Sequence, residues 1–462
     1  MSQRSCTWLI RPAQRATRAV TINVVSQAVF TSRRMLNLKS RILLTFCVFL
    51  TTAVNAQNVT GEPIQSARIC VTGFDHNRPD PFPGLGDFIG WVGDVVRLKN
   101  GELLFVHSAG YWHVSFATPI VLNENLVESY QKSGLDLNHK APTGGRIMAC
   151  RSKDNGKTWS KPELVFNGEI DAAPSATCVT SKGTVIQIIN VQASWYGFPE
   201  APEGHQKLNT KQLYIRSTDH GRTWSKPKQL KSSGTYYTRG RSRILELPDG
   251  GLLWMCYDMN KGGSLLDGTI HRSDDDGQTW GVISMIRRRK PAGDDTDAKD
   301  LVVSGDVDRF LKLGSPKDDG WIDTDEGDLA RLSNGRLVLV VRPDGGTLVS
   351  DDEAKSWKQI SVVGPKYLYA PHMVTLADDT IVLTAGGSGG QCVYLSNDGG
   401  KRWSEPIKID PSVYGYGKVT KLDDESILLS YVQKHSAPQR CMLVRFKVND
   451  QRNGVELLKL GE

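Results

Sequence analysis

The sequence predicts an all-β fold made of repeated antiparallel sheets, and two recurring patterns carry that prediction. The first is an eight-residue motif, Ser-x-Asp-x-Gly-x-Thr-Trp, which occurs three times intact and twice in a degenerate form. The second is a pair of short apolar runs joined by a polar turn. Repeats separated by a few tens of residues are typical of proteins in which each repeat forms one unit of an array. The copies of the motif begin at Ser152, Ser217, Ser273, Ser350 and Ser396.

Each residue type in the motif favours a tight turn. The Asp side chain accepts hydrogen bonds from backbone N–H groups just ahead of it in the chain. The Gly supplies a positive φ without steric cost, and the Trp gives a hairpin a large apolar anchor. The motif therefore predicts the turn of a β-hairpin, which is a structural role and not a catalytic one.

The second pattern occurs six times and gives the number of sheets. Each copy joins two runs rich in Val, Ile, Leu and aromatic residues, as expected for a hairpin. Five of the six predicted sheets carry the motif, and the sixth ends in the run from Arg440 to Phe446. We therefore predict a six-bladed β-propeller. The six turns contain Gly101, Gly183, Gly250, Gly335, Asp379 and Glu425.

One further run, from Ala67 to Thr72, precedes the first hairpin and is expected to close the ring. We predict that it pairs with the last blade beside Leu443 to Phe446. Cys70 and Cys441 would then lie on neighbouring strands, where either a disulfide or two free thiols are compatible with the sequence. Six cysteines follow residue 56, too few for a disulfide-dense scaffold.

Residues 1–56 are predicted to be a leader outside the folded domain, which spans 57–462. They contain eight basic and no acidic residues, and an apolar run from Ile42 to Leu50 precedes small residues ending at Ala56. This is typical of a secretory signal, and cleavage is expected after Ala56. Translation is expected to start at Met35, so that residues 1–34 would be a mis-assigned beginning. We expect a secreted or periplasmic protein without stable membrane insertion after cleavage.

The charge of the folded domain argues against a polyanion ligand. The chain has 57 Lys and Arg against 50 Asp and Glu, and removing the eight basic residues of the leader leaves 49 against 50. Nucleic-acid binding therefore has no support from charge. The run Arg287 to Lys290 is interpreted as a solvated face. No clustered Cys/His spacing predicts a metal site, and no cofactor is expected.

The repeated motif resembles the Asp-box of the sialidase superfamily, where it marks the outer turn of propeller blades. The resemblance extends over all five copies, and so over most of residues 57–462. In a propeller the innermost strand of each blade starts near the central axis, so equivalent positions converge on one pocket. Stepping back nine residues from each of the six turn residues gives Val92, Pro174, Arg241, Glu326, Ala370 and Tyr416.

Two of these inner-strand residues, together with an arginine at the end of the next strand, are similar to the sialidase site. Glu326 followed by Arg342 matches the Glu and Arg that the family carries on blade four, and Tyr416 matches the Tyr of blade six. The resemblance implies that Tyr416 is the nucleophile and Glu326 takes its proton, because a Tyr with a pKa of about 10 is otherwise a poor nucleophile. A Tyr replaces the usual carboxylate in this family because the substrate carries its own carboxylate at the reacting carbon.

The sequence also departs from the family pattern. Sialidases bind the substrate carboxylate with three arginines, of which Arg342 matches one. Val92 stands at the place of the blade-one arginine, and the run from Ser388 to Gln391, where the blade-five arginine is expected, contains no arginine. Further candidates for substrate binding are the polar and aromatic residues near the axis, and Asp136 and Asp94 are candidates for the general acid. The substrate-binding candidates are Arg342, Arg241, Arg239, Trp91, Asp94, His372 and Tyr369.

The leading hypothesis is an exo-acting glycoside hydrolase that acts on acidic or otherwise decorated sugars of glycans. One alternative is a polysaccharide lyase, or a glycosidase with a different set of catalytic residues, that uses Asp94, His372 or Tyr369. A second alternative is a non-catalytic carbohydrate-binding propeller. Enzymes of several chemistries share this fold, so the fold alone does not decide among them.

Overall fold

The structure is a computed structural model, and the residues it describes all lie within one compact unit, Ala56–Glu462. The predicted leader, the loop that contains Asp136, and Trp91 lie outside the described residues. The described ranges are 58–73, 92–109, 146–167, 171–192, 211–231, 237–259, 265–290, 301–313, 320–364, 367–387, 390–410, 415–433 and 440–460.

The described residues form six sheets, antiparallel except for the parallel pair of β1 (Val59–Gly61) and β29 (Val455–Leu458), with two short helices, α1 (Ile64–Ala67) and α2 (Val307–Leu313). Sheet 1 contains β3 (Val92–Arg97), β4 (Leu103–Ala109), β5 (Arg146–Ser152) and β6 (Glu163–Phe166). Sheet 2 contains β7 (Asp171–Val179), β8 (Val185–Gln192), β9 (Lys211–Ser217) and β10 (Lys228–Gln229). Sheet 3 contains β11 (Tyr237–Gly240), β12 (Leu245–Glu246), β13 (Leu252–Met259), β14 (Asp267–Ser273), β15 (Gly281–Arg289), β16 (Val302–Gly305) and β17 (Trp321–Ile322).

The remaining three sheets follow in chain order. Sheet 4 contains β18 (Asp325–Arg331), β19 (Leu337–Arg342), β20 (Gly346–Ser350) and β21 (Lys358–Val362). Sheet 5 contains β22 (Tyr369–Thr375), β23 (Ile381–Gly387), β24 (Gly390–Ser396) and β25 (Ile407–Asp410). Sheet 6 contains β26 (Gly415–Lys421), β27 (Ile427–Val432), β28 (Arg440–Val448) and β29 (Val455–Leu458), with β1 (Val59–Gly61) and β2 (Arg68–Gly73) added from the front of the chain.

The sheets are arranged as a propeller, as predicted. Six apolar clusters each join two neighbouring sheets, and the cluster that contains Leu103 and Leu428 joins sheet 1 to sheet 6 and so closes the ring. A sheet that is buried on both faces has near-continuous apolar runs, which is why all residues of β19 but Arg342 and all residues of β27 but Ser430 are apolar or aromatic. The six turn residues predicted from the sequence all have positive φ.

The predicted closing strand is confirmed, and Cys70 and Cys441 lie on neighbouring strands as free thiols, which is one of the two arrangements that the sequence allowed. β2 runs antiparallel to β28 with Arg68 opposite Val444 and Ile69 opposite Leu443. A register shift places Cys70 opposite Met442 and Thr72 opposite Cys441, so the two cysteines do not face each other. Cys441 is a buried free thiol.

The five motif turns have the structure that their residue types predict, and each lies between the third and fourth strand of its sheet. In the turn after β14, Asp275 accepts hydrogen bonds from the Thr279 N–H (2.8 Å) and the Thr279 hydroxyl (2.6 Å). The Ser273 hydroxyl accepts a bond from the Gly277 N–H (2.9 Å), and Gly277 has φ 75°. Each turn also packs toward the preceding sheet; Arg216 of β9, for example, donates to the Asp276 carbonyl (3.0 Å).

Arg287 and Arg288 of the basic run at the end of β15 are buried, and for these two residues the interpretation as a solvated face was wrong, whereas Arg289 is half-buried and Lys290 is exposed. Arg287 forms an ion pair with Asp267 (2.7 Å), and Arg288 pairs with Asp344 (2.9 Å) and is fully buried. The Arg289 guanidinium lies over the Trp321 ring at 4.4 Å. The three arginines therefore hold sheet 3 to its neighbour and to the short strand β17. Within the described residues, no helix is long and apolar enough to cross a membrane.

Candidate active site

The inner strand of every sheet is irregular at the position that the sequence pattern selects. Five of these strands shift register there, and in sheet 3 the strand is interrupted between Gly240 and Leu245. Such bulges redirect side chains and often lie beside active sites. The shifts occur after Val92, Pro174, Asp325, Tyr369 and Gly415.

Residues at these irregular positions meet across the axis. Arg241 of sheet 3 donates a hydrogen bond to the Tyr416 carbonyl of sheet 6, and its guanidinium lies 4.8 Å from the centre of the Tyr416 ring. Tyr416 has φ 63°, a strained conformation for a non-glycine residue, which its surroundings must hold in place. We name Arg241, Glu326, Arg342 and Tyr416 the pocket layer.

Arg342 and Glu326 form the other half of the pocket layer. The Arg342 Nη1 atom lies 2.7 Å from the Glu326 Oε2 atom, and the guanidinium also contacts the rings of Tyr367 and Tyr369 at 5.2 and 5.1 Å. Its Nε atom donates to the Tyr367 hydroxyl (2.9 Å). Although burial opposes the charged form, Glu326 and the adjacent Asp325 raise the pKa of Arg342. Arg342 is therefore a fixed cation with 20% of its side chain exposed.

Arg241 is a buried cation in the same layer. Its exposed fraction is 2%, and burial lowers its pKa, while the charges of Glu326 and Tyr416 oppose that change. An arginine remains protonated under such a shift because its ordinary pKa exceeds 12. The pocket layer thus brings together two guanidinium groups, one carboxylate and one phenol, which is a combination suited to binding an anion and to transferring a proton.

A second charged cluster lies two residues further along the same inner strands. Lys418 is fully buried; its Nζ atom lies 2.9 Å from Asp94 Oδ2 and donates to the Ser175 carbonyl (2.6 Å). His372 Nε2 lies 3.0 Å from the other Asp94 oxygen, and the Thr177 N–H donates to Asp94 (2.7 Å). Despite burial, Lys418 and His372 hold the pKa of Asp94 well below its usual range. Asp94 is therefore ionised and fully bonded.

Asp328 and Arg243 complete this cluster. Asp328 accepts hydrogen bonds from the backbone N–H groups of Arg243 and Met373, both at 2.6 Å, and its side chain lies 3.4 Å from the Arg243 guanidinium. The Val419 N–H donates to His372 Nδ1 (3.2 Å), so the His372 proton lies on Nε2 and the ring is neutral. We name Asp94, Arg243, Asp328, His372 and Lys418 the axial plug.

The axial plug closes the propeller axis beneath the pocket layer. It joins sheets 1, 3, 4, 5 and 6 through side chains and sheet 2 through Ser175 and Thr177. Its two carboxylates match its two cations, so the buried cluster is electrically neutral. Beyond it lies a cavity of about 290 Å³ lined by residues further along the inner strands, including Thr177 and Arg243. Within the described part of the chain, no group of three His, Cys, Asp or Glu could hold a metal ion.

Comparison with known proteins agrees with this geometry. Residues 195–429, just over half of the chain, match the BNR repeat-like domain family. The chain belongs to this family. It is also 22% identical over 346 residues to a sialidase of Bacteroides fragilis, which covers 65% of this chain and 55% of that protein. The chain thus spans little more than half the length of this relative.

Solved structures of sialidases share the fold of this BNR repeat protein. The NanB sialidase of Streptococcus pneumoniae superposes with a TM-score of 0.56 at 14% identity, covering 84% of this chain and 72% of that one. A protein of unknown function from Dyadobacter fermentans gives 0.57 at 17% identity, covering 82% and 98%. The predicted membership of the sialidase superfamily is confirmed.

The structure distributes the predicted site residues between the two layers. Glu326, Arg342, Arg241 and Tyr416 lie in the pocket layer, with Tyr369 beside Arg342. Asp94 and His372 lie in the axial plug instead, where their polar atoms are engaged with one another and with Lys418. Arg239 is buried on β11, opposite Tyr257. The remaining predicted site residues, Trp91 and Asp136, lie outside the described residues.

The two positions that lack the family arginine are filled by uncharged side chains. Val92 is fully buried and packs in the cluster between sheets 1 and 6. Gln391 is fully buried, donates to the Thr384 hydroxyl, and lies against the Cα of Gly417, the residue after Tyr416. Gly417 is required there because a Cβ would meet the Gln391 amide at 2.7 Å. An uncharged amide therefore lies beside the pocket layer, in the run where the expected arginine is absent.

Sequence reasoning missed Lys418 of the axial plug and two residues beside the pocket layer, Asp325 and Tyr367. Lys418 was missed because the pattern was read only at Tyr416, although five of the six residues two positions further along the inner strands are ionisable. Asp325 and Tyr367 were missed because each directly precedes an inner-strand residue by one or two positions and shares no pattern across sheets. Asp325 lies opposite Arg342 in the ladder of β18 and β19.

Proposed function

We propose that this protein is an exported, sialidase-like glycoside hydrolase that removes terminal acidic or otherwise decorated sugars from glycans. The observation that carries the proposal is the pocket layer, in which Arg241 contacts Tyr416 while Arg342 contacts Glu326. The family and its sialidase relatives support this reaction class. The leader of basic and apolar residues supports export.

The pocket layer suits a double-displacement reaction. The Tyr416 hydroxyl oxygen attacks the anomeric carbon, Glu326 accepts the phenolic proton, and the bond to the leaving oxygen breaks as that oxygen takes a proton from a carboxylic acid. Water then attacks the same carbon and gives a proton to the carboxylate left by that acid, while the bond to Tyr416 breaks and the Tyr416 oxygen takes its proton back from Glu326. Asp136, in the blade-one loop that carries this acid in the family, remains the candidate donor.

Arg342 and Arg241 would hold the carboxylate of an acidic sugar. Guanidinium groups bind carboxylates through paired, charge-assisted hydrogen bonds, and 20% of the Arg342 side chain is exposed. The exposed Tyr367 and its neighbour Tyr369, whose ring centres are 4.6 Å apart, would support the sugar ring at the entrance. Because Val92 and the run that ends at Gln391 lack two of the family's arginines, we expect this site to bind the substrate carboxylate more weakly than the family does.

The first test is the hydrolysis of a panel of aryl glycosides, sialic and uronic acids included, by the protein without its leader. We expect Tyr416→Phe to lower kcat by about 10³-fold or more, because the variant loses only the nucleophilic oxygen. Tyr394→Phe is the matched control, since Tyr394 is buried in sheet 5 away from the pocket layer. That control should retain full activity.

The other outcomes of the panel separate the alternatives. Activity that survives in Tyr416→Phe would reject the Tyr/Glu mechanism. Glycan binding without turnover would favour a carbohydrate-binding propeller, a second candidate that the uncharged Val92 and Gln391 support. A product with ultraviolet absorbance from a new double bond would instead identify a lyase.

A further inference from the structure

Asp325 is a carboxyl group of the pocket that the mechanism above does not use. Consecutive residues of a regular strand point to opposite faces, but the register shift after Asp325 turns both Asp325 and Glu326 toward one guanidinium. Arg342 lies 2.7 Å from Glu326 Oε2 through Nη1 and 3.9 Å from Asp325 Oδ1 through Nε. The two carboxyl groups therefore share a single arginine.

The surroundings of Asp325 disfavour its ionised form. Its side chain is 14% exposed, and its Oδ1 atom is buried without a hydrogen-bond partner among the described residues. Burial raises the pKa of Asp325 to about 7, with Glu326 contributing in the same direction and Arg342 opposing it. Asp323 adds to the increase, and Arg288 opposes it from β15, where it is already paired with Asp344.

The protonation of Asp325 decides the charge that a substrate meets at Arg342. With Asp325 neutral, Asp325, Glu326 and Arg342 together carry no net charge, and the exposed part of the guanidinium can take an anion. With Asp325 ionised, the same three residues carry one negative charge in a partly buried site. A carboxylate that enters the site is then repelled, because several ionised carboxylates close together in partly buried surroundings raise the free energy of the complex.

We propose that Asp325 is a specificity-determining residue that restricts the binding of acidic sugars to the pH range in which its own carboxyl group is protonated. The inference rests on the proposed function, because it assumes that the ligand at Arg342 is an acidic sugar. It adds a residue and a condition to that function. Acidic sugars bind tightly below neutral pH and weakly above it, whereas neutral sugars bind equally at the two pH values.

The test is the affinity for free glucuronic acid and free N-acetylneuraminic acid, measured by calorimetry at pH 5.5 and pH 8.5. Both ligands stay ionised over this range. Because Asp325 must take up a proton before the anion binds, the wild-type affinity should fall up to tenfold per pH unit above the Asp325 pKa, about 30-fold by pH 8.5. Asp325→Asn mimics the neutral acid and should bind equally at both pH values.

Two controls accompany the binding series. Glucose, which matches glucuronic acid without the charge, should show no pH dependence with either protein. Asp351→Asn changes an exposed acidic residue in the motif turn of the same sheet, whose carboxylate pairs with Arg336 (2.7 Å). That variant should keep the wild-type pH dependence. An undiminished pH dependence in Asp325→Asn would overturn the proposal.

Thermal unfolding tests Asp325 without any ligand. The folded wild type keeps a proton on Asp325 that the unfolded chain has released above pH 4, so its stability should fall relative to Asp325→Asn between about pH 4 and pH 7 and level off above. A difference in Tm that stays constant from pH 4 to pH 8 would overturn the proposal. If this difference changes as expected but no acidic sugar binds at any pH, the proposed substrate class fails while the titration of Asp325 stands.

Discussion

The inner-strand residues of the axial plug follow those of the pocket layer by two positions on the same strands. The two groups differ in how completely their charged side chains are paired and hydrogen-bonded. In the plug, Lys418 is fully buried, and Asp94 is satisfied by Lys418, His372 and the Thr177 N–H. In the pocket layer, Arg342 is 20% exposed, rests against tyrosine rings, and is shared by Glu326 and by Asp325, which lies beside the layer.

This contrast separates structural charge from functional charge. Removing ions from water is costly unless every one is paired and hydrogen-bonded, and the plug meets that condition with equal numbers of cations and anions. A group whose partners are incomplete, such as Asp325, keeps the capacity to respond to a ligand. The comparison predicts that substitutions in the pocket layer change activity and spare stability, whereas substitutions in the plug do the reverse.

The largest effect is expected from Glu326→Gln in the pocket layer. The amide still accepts a hydrogen bond from Arg342 but no longer takes the proton of Tyr416, so kcat on the best substrate of the panel should fall about 10²- to 10⁴-fold. The denaturant midpoint should change little, because Arg342 retains Tyr367 and water as partners. A variant that unfolds while the remaining folded fraction is fully active would show that Glu326 belongs with the plug.

The opposite result is expected from Lys418→Met in the axial plug. Methionine fills a similar volume but leaves Asp94 as a buried charge with one partner fewer, which should lower the free energy of unfolding by about 3–5 kcal/mol. Lys421→Met is the matched control on the same strand. Lys421 is 34% exposed and pairs with Glu425 four residues on, so its loss should cost less than about 1 kcal/mol. Equal costs in the two variants would contradict the role of the plug.

Much of this architecture could be predicted from the sequence because it follows from local rules. The motif turns and the six hairpins depend on residues close together in the chain. The closing strand has a distant partner but follows from the need of a propeller to close its ring, and all of these features were found where expected. The irregular inner-strand positions were also correct, since equal spacing from each turn selects equivalent places in every sheet.

What the sequence did not predict depends on partners far apart in the chain. Asp94 and His372 were grouped with the pocket because the pattern does not show that they meet Lys418, which is 324 residues from Asp94. The burial of Arg287 and Arg288 depends on Asp267 and Asp344 in the same way. A one-residue shift in β2 separated Cys70 from Cys441. In each case the register between strands, and not the residue type, decided the outcome.

The smallest effect is expected in the motif turns, which lie outside both axial layers. Asp275→Ala removes the acceptor of the Thr279 N–H and hydroxyl and of the Ser273 hydroxyl. Because the turn is largely exposed and water replaces part of these bonds, the free energy of unfolding at pH 7 should fall by about 1 kcal/mol, with activity unchanged. Asp274→Ala, at the neighbouring and more exposed position, should change it by less than about 0.5 kcal/mol.

The pH dependence of the Asp275→Ala effect identifies its origin. Although burial acts in the opposite direction, the bonds from Thr279 and Ser273 lower the pKa of Asp275 in the folded protein. A lowered pKa gives stability that is present above the unfolded pKa of about 4 and is lost as the pH falls through the folded pKa. The difference between wild type and Asp275→Ala in urea should therefore shrink between pH 4 and pH 2. If it stays constant, the contribution comes from the shape of the turn and not from the ionised carboxylate.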